Sequence, residues 1–187
     1  MSHDPALEAH EHTEHANHAA HESDPFVSRV AITVAVLAVL AATATSMETV
    51  EGGLAITASS EAVLAQDKAT DLWNEYEADS IKKNLYAVAG QLDGARASEF
   101  AREAASEGRK QSGIKQQAKE NEAERDRLTA ASAQHERRHH WLTVAATLVE
   151  IGIALSTVAI FTKRKPLWLG AVILGAAGTV FGALAFG

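Results

Sequence analysis

The sequence predicts an all-α integral membrane protein, with three transmembrane helices and a long extramembrane antiparallel helical hairpin of coiled-coil type. Three observations predict it. The apolar residues are gathered into three blocks of about 20 residues each, which as helix is about 30 Å, the thickness of a bilayer's hydrocarbon core. Between the first and second blocks lies a polar stretch dominated by Ala, Glu, Gln, Lys and Arg, all helix formers. Pro is absent from residues 26–165. The mean hydropathy near zero reflects averaging over oily and charged blocks.

Residues 1–25 form a polar tail, partly disordered in this reading. The first 28 residues carry six carboxylates and no Lys or Arg. A charged leader with an immediate apolar core is missing, so the first span is expected to stay as an anchor. His10, His12, His15, His18 and His21 crowd this tail among Glu8, Glu11, Glu14 and Glu22. On a helix their spacing gives adjacent pairs that suit loose Zn2+ or another divalent metal, and histidines near pH 6.5 could report pH. A solvated tail with incidental metal affinity accounts for the same pattern, because no closed four-ligand set is present. No cofactor is required by any motif.

The first span, residues 26–46, is entered at Arg29 and is uncharged from Val30 to Met47. Ala31, Ala35, Ala38, Ala42 and Thr45 follow one another at steps of four and three. Such small-residue stripes let helix backbones approach where lipid removes the hydrophobic drive. Gly52 and Gly53 are expected to interrupt the exit, with a new helix from about Leu54.

The polar middle, residues 47–140, holds 17 acidic and 13 basic side chains, too balanced for nucleic-acid binding. Its first arm has Val63, Leu64, Leu72, Trp73, Tyr76, Ile81, Leu85, Val88 and Leu92 as apolar positions. Ile81, Leu85, Val88 and Leu92 step by four, three and four, the seam of a coiled coil. The second arm offers little beyond Ile114, Ala118, Leu128 and Ala131. The chain must turn back, at Gly90–Gly94 for equal arms or at Gly108–Gly113 for unequal ones. Equal arms would reach about 50–60 Å from the bilayer at 1.5 Å per residue. A two-helix hairpin with one polar arm has little core, so burying Trp73, Tyr76 and Leu85 is expected to need further copies of the chain.

The second span, residues 141–162, lies between Arg137, Arg138, His139 and His140 on one side and Lys163, Arg164 and Lys165 on the other. The third, residues 167–186, opens with Pro166 and Trp168 at its edge. Basic and aromatic residues at both ends suit membrane interfaces. The third span repeats the small-residue stripe at Ala171, Gly175, Gly178, Gly182 and Ala185.

Glu150 is the one acid inside a span, where an ionised side chain costs about 3 kcal/mol on insertion scales. At 100° per residue Thr143, Thr147, Glu150 and Thr157 share a narrow sector, with Gly152, Ser156 and Ala159 on another. This polar stripe is expected to face protein or water. No span has Lys, Arg or His in its middle, so no cation of the chain lies at that depth. Three roles stay open: a neutral acid bonding helix to helix, an ion or proton site built as a ring of Glu150 from several copies, and a salt bridge to another polypeptide.

The short loop Lys163–Arg164–Lys165 places that end in the cytoplasm by the positive-inside rule. The expected arrangement is a multi-pass protein of a bacterial inner membrane, with a cytoplasmic N-terminus and an extracytoplasmic hairpin. Arg125, Arg127, Arg137 and Arg138 argue the opposite way, but long segments translocate largely regardless of charge.

The segment LysAlaThrAspLeuTrpAsnGluTyrGluAlaAspSerIleLysLysAsnLeuTyr (68–86) resembles the signature of an uncharacterised bacterial membrane-protein family that carries only a domain-of-unknown-function label. The segment ThrLysArgLysProLeuTrpLeu (162–169), the Gly-rich last span and the His- and Glu-rich leader resemble it too. Members typically show an aromatic pair where this chain has Glu75–Tyr76. The resemblance implies three spans around a charged helical hairpin and supplies no activity. Trp73, Tyr76, Ser80, Ile81, Lys82 and Tyr86 match its motif; these positions, with Leu85, could form a partner surface or a packed seam between copies.

No phosphate loop, nucleophile motif or compact metal motif is present. The expectation is a non-enzymatic membrane protein whose partners are the lipid bilayer, further copies of itself and a larger membrane complex. An oligomeric ion or proton pathway along the Glu150 face and a metal- or pH-responsive sensor read through the tail are the competing expectations.

Overall fold

The structure, a computed structural model, describes residues 24–187. It is all-α in these residues. Helix α1 runs Pro25–Leu92, a 3-10 turn follows at Gly94–Arg96, then α2, Ala97–Thr162, and α3, Lys165–Leu184. Each helix contains a stretch long and apolar enough to cross a membrane.

Local chemistry sets the helix ends. Pro25 opens α1, where its fixed φ suits the first turn and its missing N–H goes unmissed. Asp24 caps it: the Phe26 N–H donates to Asp24 Oδ1 at 3.0 Å, and the Ser28 N–H to the Asp24 carbonyl at 3.1 Å. The Phe26 N–H, and then Lys163 at 3.2 Å, hold the Asp24 carboxyl below its ordinary range. Between α2 and α3, Lys163 takes a left-handed φ of 52°, the usual way to end a helix. Arg164 is extended, the backbone usual for a helix N-cap. The helix of the third span stops at Leu184, so Ala185 and Phe186 belong to a closing turn.

The expected interruption at Gly52–Gly53 does not occur; α1 is helical through both. Each glycine weakens a helix by about 1 kcal/mol relative to alanine. Flanking residues oppose that loss: Glu51 pairs with His135 at 2.6 Å, and the Ala55 carbonyl accepts from Ser132 at 2.9 Å. The reversal between α1 and α2 lies at Asp93–Arg96, whereas Gly108 and Gly113 sit inside α2. Gly90 matters there, since a Cβ would stand 3.4 Å from Phe100 Cβ.

The chain divides into two compact units, the described part of Met1–Thr49 with Arg138–Gly187, and Val50–Arg137. In the first, α1, α2 and α3 pack around Leu37, Ala41 and Val149. The α3 stripe makes this possible: Ala171, Gly175, Gly178 and Ala185 are buried and Gly182 is half-buried. A Cβ on Gly175 would collide with the Leu37 side chain, and one on Gly178 would sit 2.7 Å from Val149 Cγ2 and 2.8 Å from the Ala145 carbonyl. The α1 stripe is placed differently. Ala31, Ala35, Ala38, Ala42 and Thr45 are all exposed, while Val30, Leu37 and Ala41 fill the interior.

The second unit is an antiparallel pair of arms. Gln66 meets Arg125, Trp73 meets Glu122, Tyr76 meets Gln111 and Tyr86 stacks on Phe100. Its close contact is an alanine seam. Ala58, Ala62, Ala65 and Ala69 of α1 are buried, with Ala118 of α2. Leu72, Trp73 and Tyr76 are half-buried, whereas Val63, Leu64, Ile81, Leu85, Val88 and Leu92 point outward.

Candidate functional site

The apolar part of α2 has two faces. Leu142, Ala145, Val149, Gly152, Ser156 and Ala159 are buried against α1 and α3. Nearly opposite, by helical geometry, Thr147, Glu150, Ala154, Thr157 and Phe161 are all exposed. Three of the four residues predicted as a polar stripe thus stand together on an uncovered face. Their hydroxyls are satisfied locally: Thr147 donates to the Thr143 carbonyl at 2.8 Å and Thr157 to that of Ile153 at 3.0 Å. Among the described residues nothing pairs with the Glu150 carboxyl.

Thr143 departs from that group. It is half-buried, and its hydroxyl lies 2.6 Å from Glu48 Oε1 and 3.0 Å from the His139 carbonyl. The His139 ring nitrogen lies 3.1 Å from the Glu48 carbonyl. Sequence reasoning missed Glu48 because it sits just past the end of the first span. The usable signal was the reversal itself, which brings residues just after the first span level with those that open the second. Ser156 Oγ is fully buried on the packed face and finds no hydrogen-bond partner among the described residues.

In the second unit the structure divides the predicted partner surface. Trp73 Nε1 donates to Glu122 Oε1 at 2.9 Å, Trp73 meets Tyr76 edge-on at 5.5 Å, and Tyr86 lies 6.4 Å from Phe100. The Trp73 and Tyr86 side chains therefore engage the chain's own second arm, while the Tyr76 ring packs on Trp73 of its own arm. Ile81 and Leu85 do neither; they are 69% and 65% exposed. Sequence reasoning passed over the buried charges as well. Asp79 and Glu107 are both nearly buried, bound to Lys82 at 3.0 Å and Lys110 at 2.9 Å. Hydrogen bonding to Asp79, then its charge, raises Lys82 above the ordinary lysine range, and Glu107 does the same for Lys110. Each lysine also feels the other acid, more weakly than its own partner.

Among the described residues no group of three His, Asp or Glu side chains could hold a metal. His10, His12, His15, His18 and His21, the predicted metal site, lie outside the described residues.

Residues 26–187 match the family described as Domain of unknown function (DUF4337). The match covers most of the chain, which belongs to that family. No curated protein and no solved structure matches the chain.

Proposed function

We propose that this member of a family of unknown function is a non-enzymatic, multi-pass membrane protein that assembles with further copies of itself and serves as a scaffold or accessory subunit of a membrane complex. One observation carries the reading. Ile81, Leu85, Val88 and Leu92 form an exposed row at coiled-coil spacing. The arm pair has already closed through its alanines, so this row is not core of the chain itself. In water such a row is an unfinished seam that a partner helix covers. Three helix stretches long and apolar enough to cross a membrane support the bilayer part of the reading; in it 163–165 lie on the cytoplasmic side of a bacterial inner membrane and residues 50–137 outside the cytoplasm.

The test is co-isolation of two differently tagged full-length copies expressed together and extracted in mild detergent. Recovery of both tags together supports self-assembly; recovery of each tag alone removes it. A second reading, an ion or proton pathway, is favoured by the uncovered grouping of Thr147, Glu150 and Thr157. Proton flux in liposomes that Glu150→Gln abolishes would establish it, and equal flux in both proteins would remove it.

A further inference from the structure

We propose that two copies pack through the open face of α2 so that Glu150 of one copy pairs directly with Glu150 of the other. The proposal rests on the self-assembly reading above and names the surface and the residue that close it.

The open face has coiled-coil spacing. Thr147, Glu150, Ala154, Thr157 and Phe161 advance by three, four, three and four, and all are exposed. Apart from Ala146, buried one turn before Glu150, the buried residues in the apolar part of α2 lie away from this row, so the row is open on one copy. Ala154 gives it a small layer between Glu150 and Thr157, which lets a second helix come close.

Copies inserted into one membrane share an orientation. A symmetric pair therefore has its twofold axis along the membrane normal, with the two seams parallel and equal residues at equal depth. Glu150 faces Glu150 without any adjustment of register.

Hydrogen-bond chemistry selects this partner over the others. A carboxylic acid both donates and accepts, and away from water it needs partners that do the same. No Lys, Arg or His lies in mid-span on any helix. The Thr147 and Thr157 hydroxyls already donate to their own helix. The exposed alanine stripe of α1 (Ala31, Ala35, Ala38, Ala42) has no side-chain donor or acceptor. A second Glu150 supplies a donor and an acceptor at the required depth.

The chain contains no cysteine, which makes disulfide scanning clean. Single cysteines are introduced in the full-length protein in liposomes at Ala154, on the Glu150 face, at Leu148 and Leu155 off it, and at Ala38 on α1. Oxidation is expected to give a covalent dimer with Ala154→Cys and little with the other three. Adding Glu150→Gln to Ala154→Cys is expected to keep the yield, since paired amides also donate and accept. Adding Glu150→Leu is expected to weaken association about tenfold, the scale of one strong interhelical hydrogen bond. Co-isolation of tagged copies without an Ala154→Cys dimer, or a dimer formed chiefly through Ala38→Cys, overturns the pairing and leaves self-assembly standing. An Ala154→Cys dimer indifferent to Glu150→Leu overturns the carboxyl contact. Copies that never co-isolate overturn both.

Discussion

The span unit and the arm unit are closed in the same manner, and the proposed membrane reading gives them different solvents. In each, helices approach through small residues: Gly175 and Gly178 against Leu37 and Val149 in one, Ala58, Ala62, Ala65 and Ala69 in the other. In each, large apolar side chains remain outside. For Ile32, Val36, Val39 and Val180 that is the ordinary state of a helix facing lipid, since acyl chains are as apolar as they are. For Ile81, Leu85, Val88 and Leu92 it is not, because in the proposed arrangement water surrounds the arms. The acids reverse the pattern. Exposed Glu and Asp on the arms need no partner, whereas exposed Glu150 in the span does. The same degree of exposure thus marks an unfinished surface in one unit and a finished one in the other, and solvent decides which.

Breaking the arm seam has the largest expected effect. Leu85→Ser with Val88→Ser removes apolar burial worth about 3 kcal/mol in an assembled seam, so tagged copies should associate more than a hundredfold more weakly. Val36→Ala in the span should leave co-isolation unchanged, which makes the pair of variants a direct contrast of the two solvents. Next comes the glycine packing of the span unit. Gly178→Ala forces Val149 and the Ala145 backbone to move and should lower stability by about 1–3 kcal/mol, read as thermal unfolding in detergent. Gly182→Ala, whose Cβ would meet Ala145 Cβ at an ordinary 3.6 Å, should be nearly neutral. In the arm unit Trp73→Phe removes the bond to Glu122 and should cost about 1 kcal/mol by the same measurement.

The smallest effects separate the units by pH. Asp24 is held below its ordinary value, so its cap is fully stabilising above the ordinary carboxylate range and is lost as pH falls through the lower folded value. Lys82 and Lys110 are raised, so their contribution is complete below the ordinary lysine range and is lost as pH rises through the higher folded value. Asp24→Asn should blunt the acid side of the melting profile alone, and Lys82→Met the alkaline side alone. All three groups are solvent-accessible, so both shifts should shrink in high salt.

Much of this arrangement was legible from block composition, because runs of apolar residues and missing prolines act over tens of residues. The three apolar stretches and the helical character of residues 47–140 depend on such sums. The inner faces were not legible in the same way. Reading seams from large side chains selected Ile81, Leu85, Val88 and Leu92, whereas the arms close through alanines, which carry little hydrophobic signal and matter through backbone proximity. Gly52 and Gly53 misled for a related reason. Their local cost is real, but the pairs Glu51–His135 and Ala55–Ser132 join residues far apart in sequence, and no window on α1 contains them. The Glu150 stripe was legible from helical phase. The departure of Thr143 toward Glu48 was not, because it depends on the register between two helices. The two alanine and glycine stripes look alike in sequence, yet one is buried and the other faces outward; helix phase alone does not say which face a third helix will take.

The central claim is that the outward rows of both units are completed by further copies of the same chain in a lipid environment. Native mass spectrometry of the full-length protein released from bilayer particles tests it most directly. The account requires a discrete multiple of the 19.8 kDa chain, shifted toward single chains by Leu85→Ser with Val88→Ser. A wild-type protein that leaves the bilayer only as single chains contradicts it.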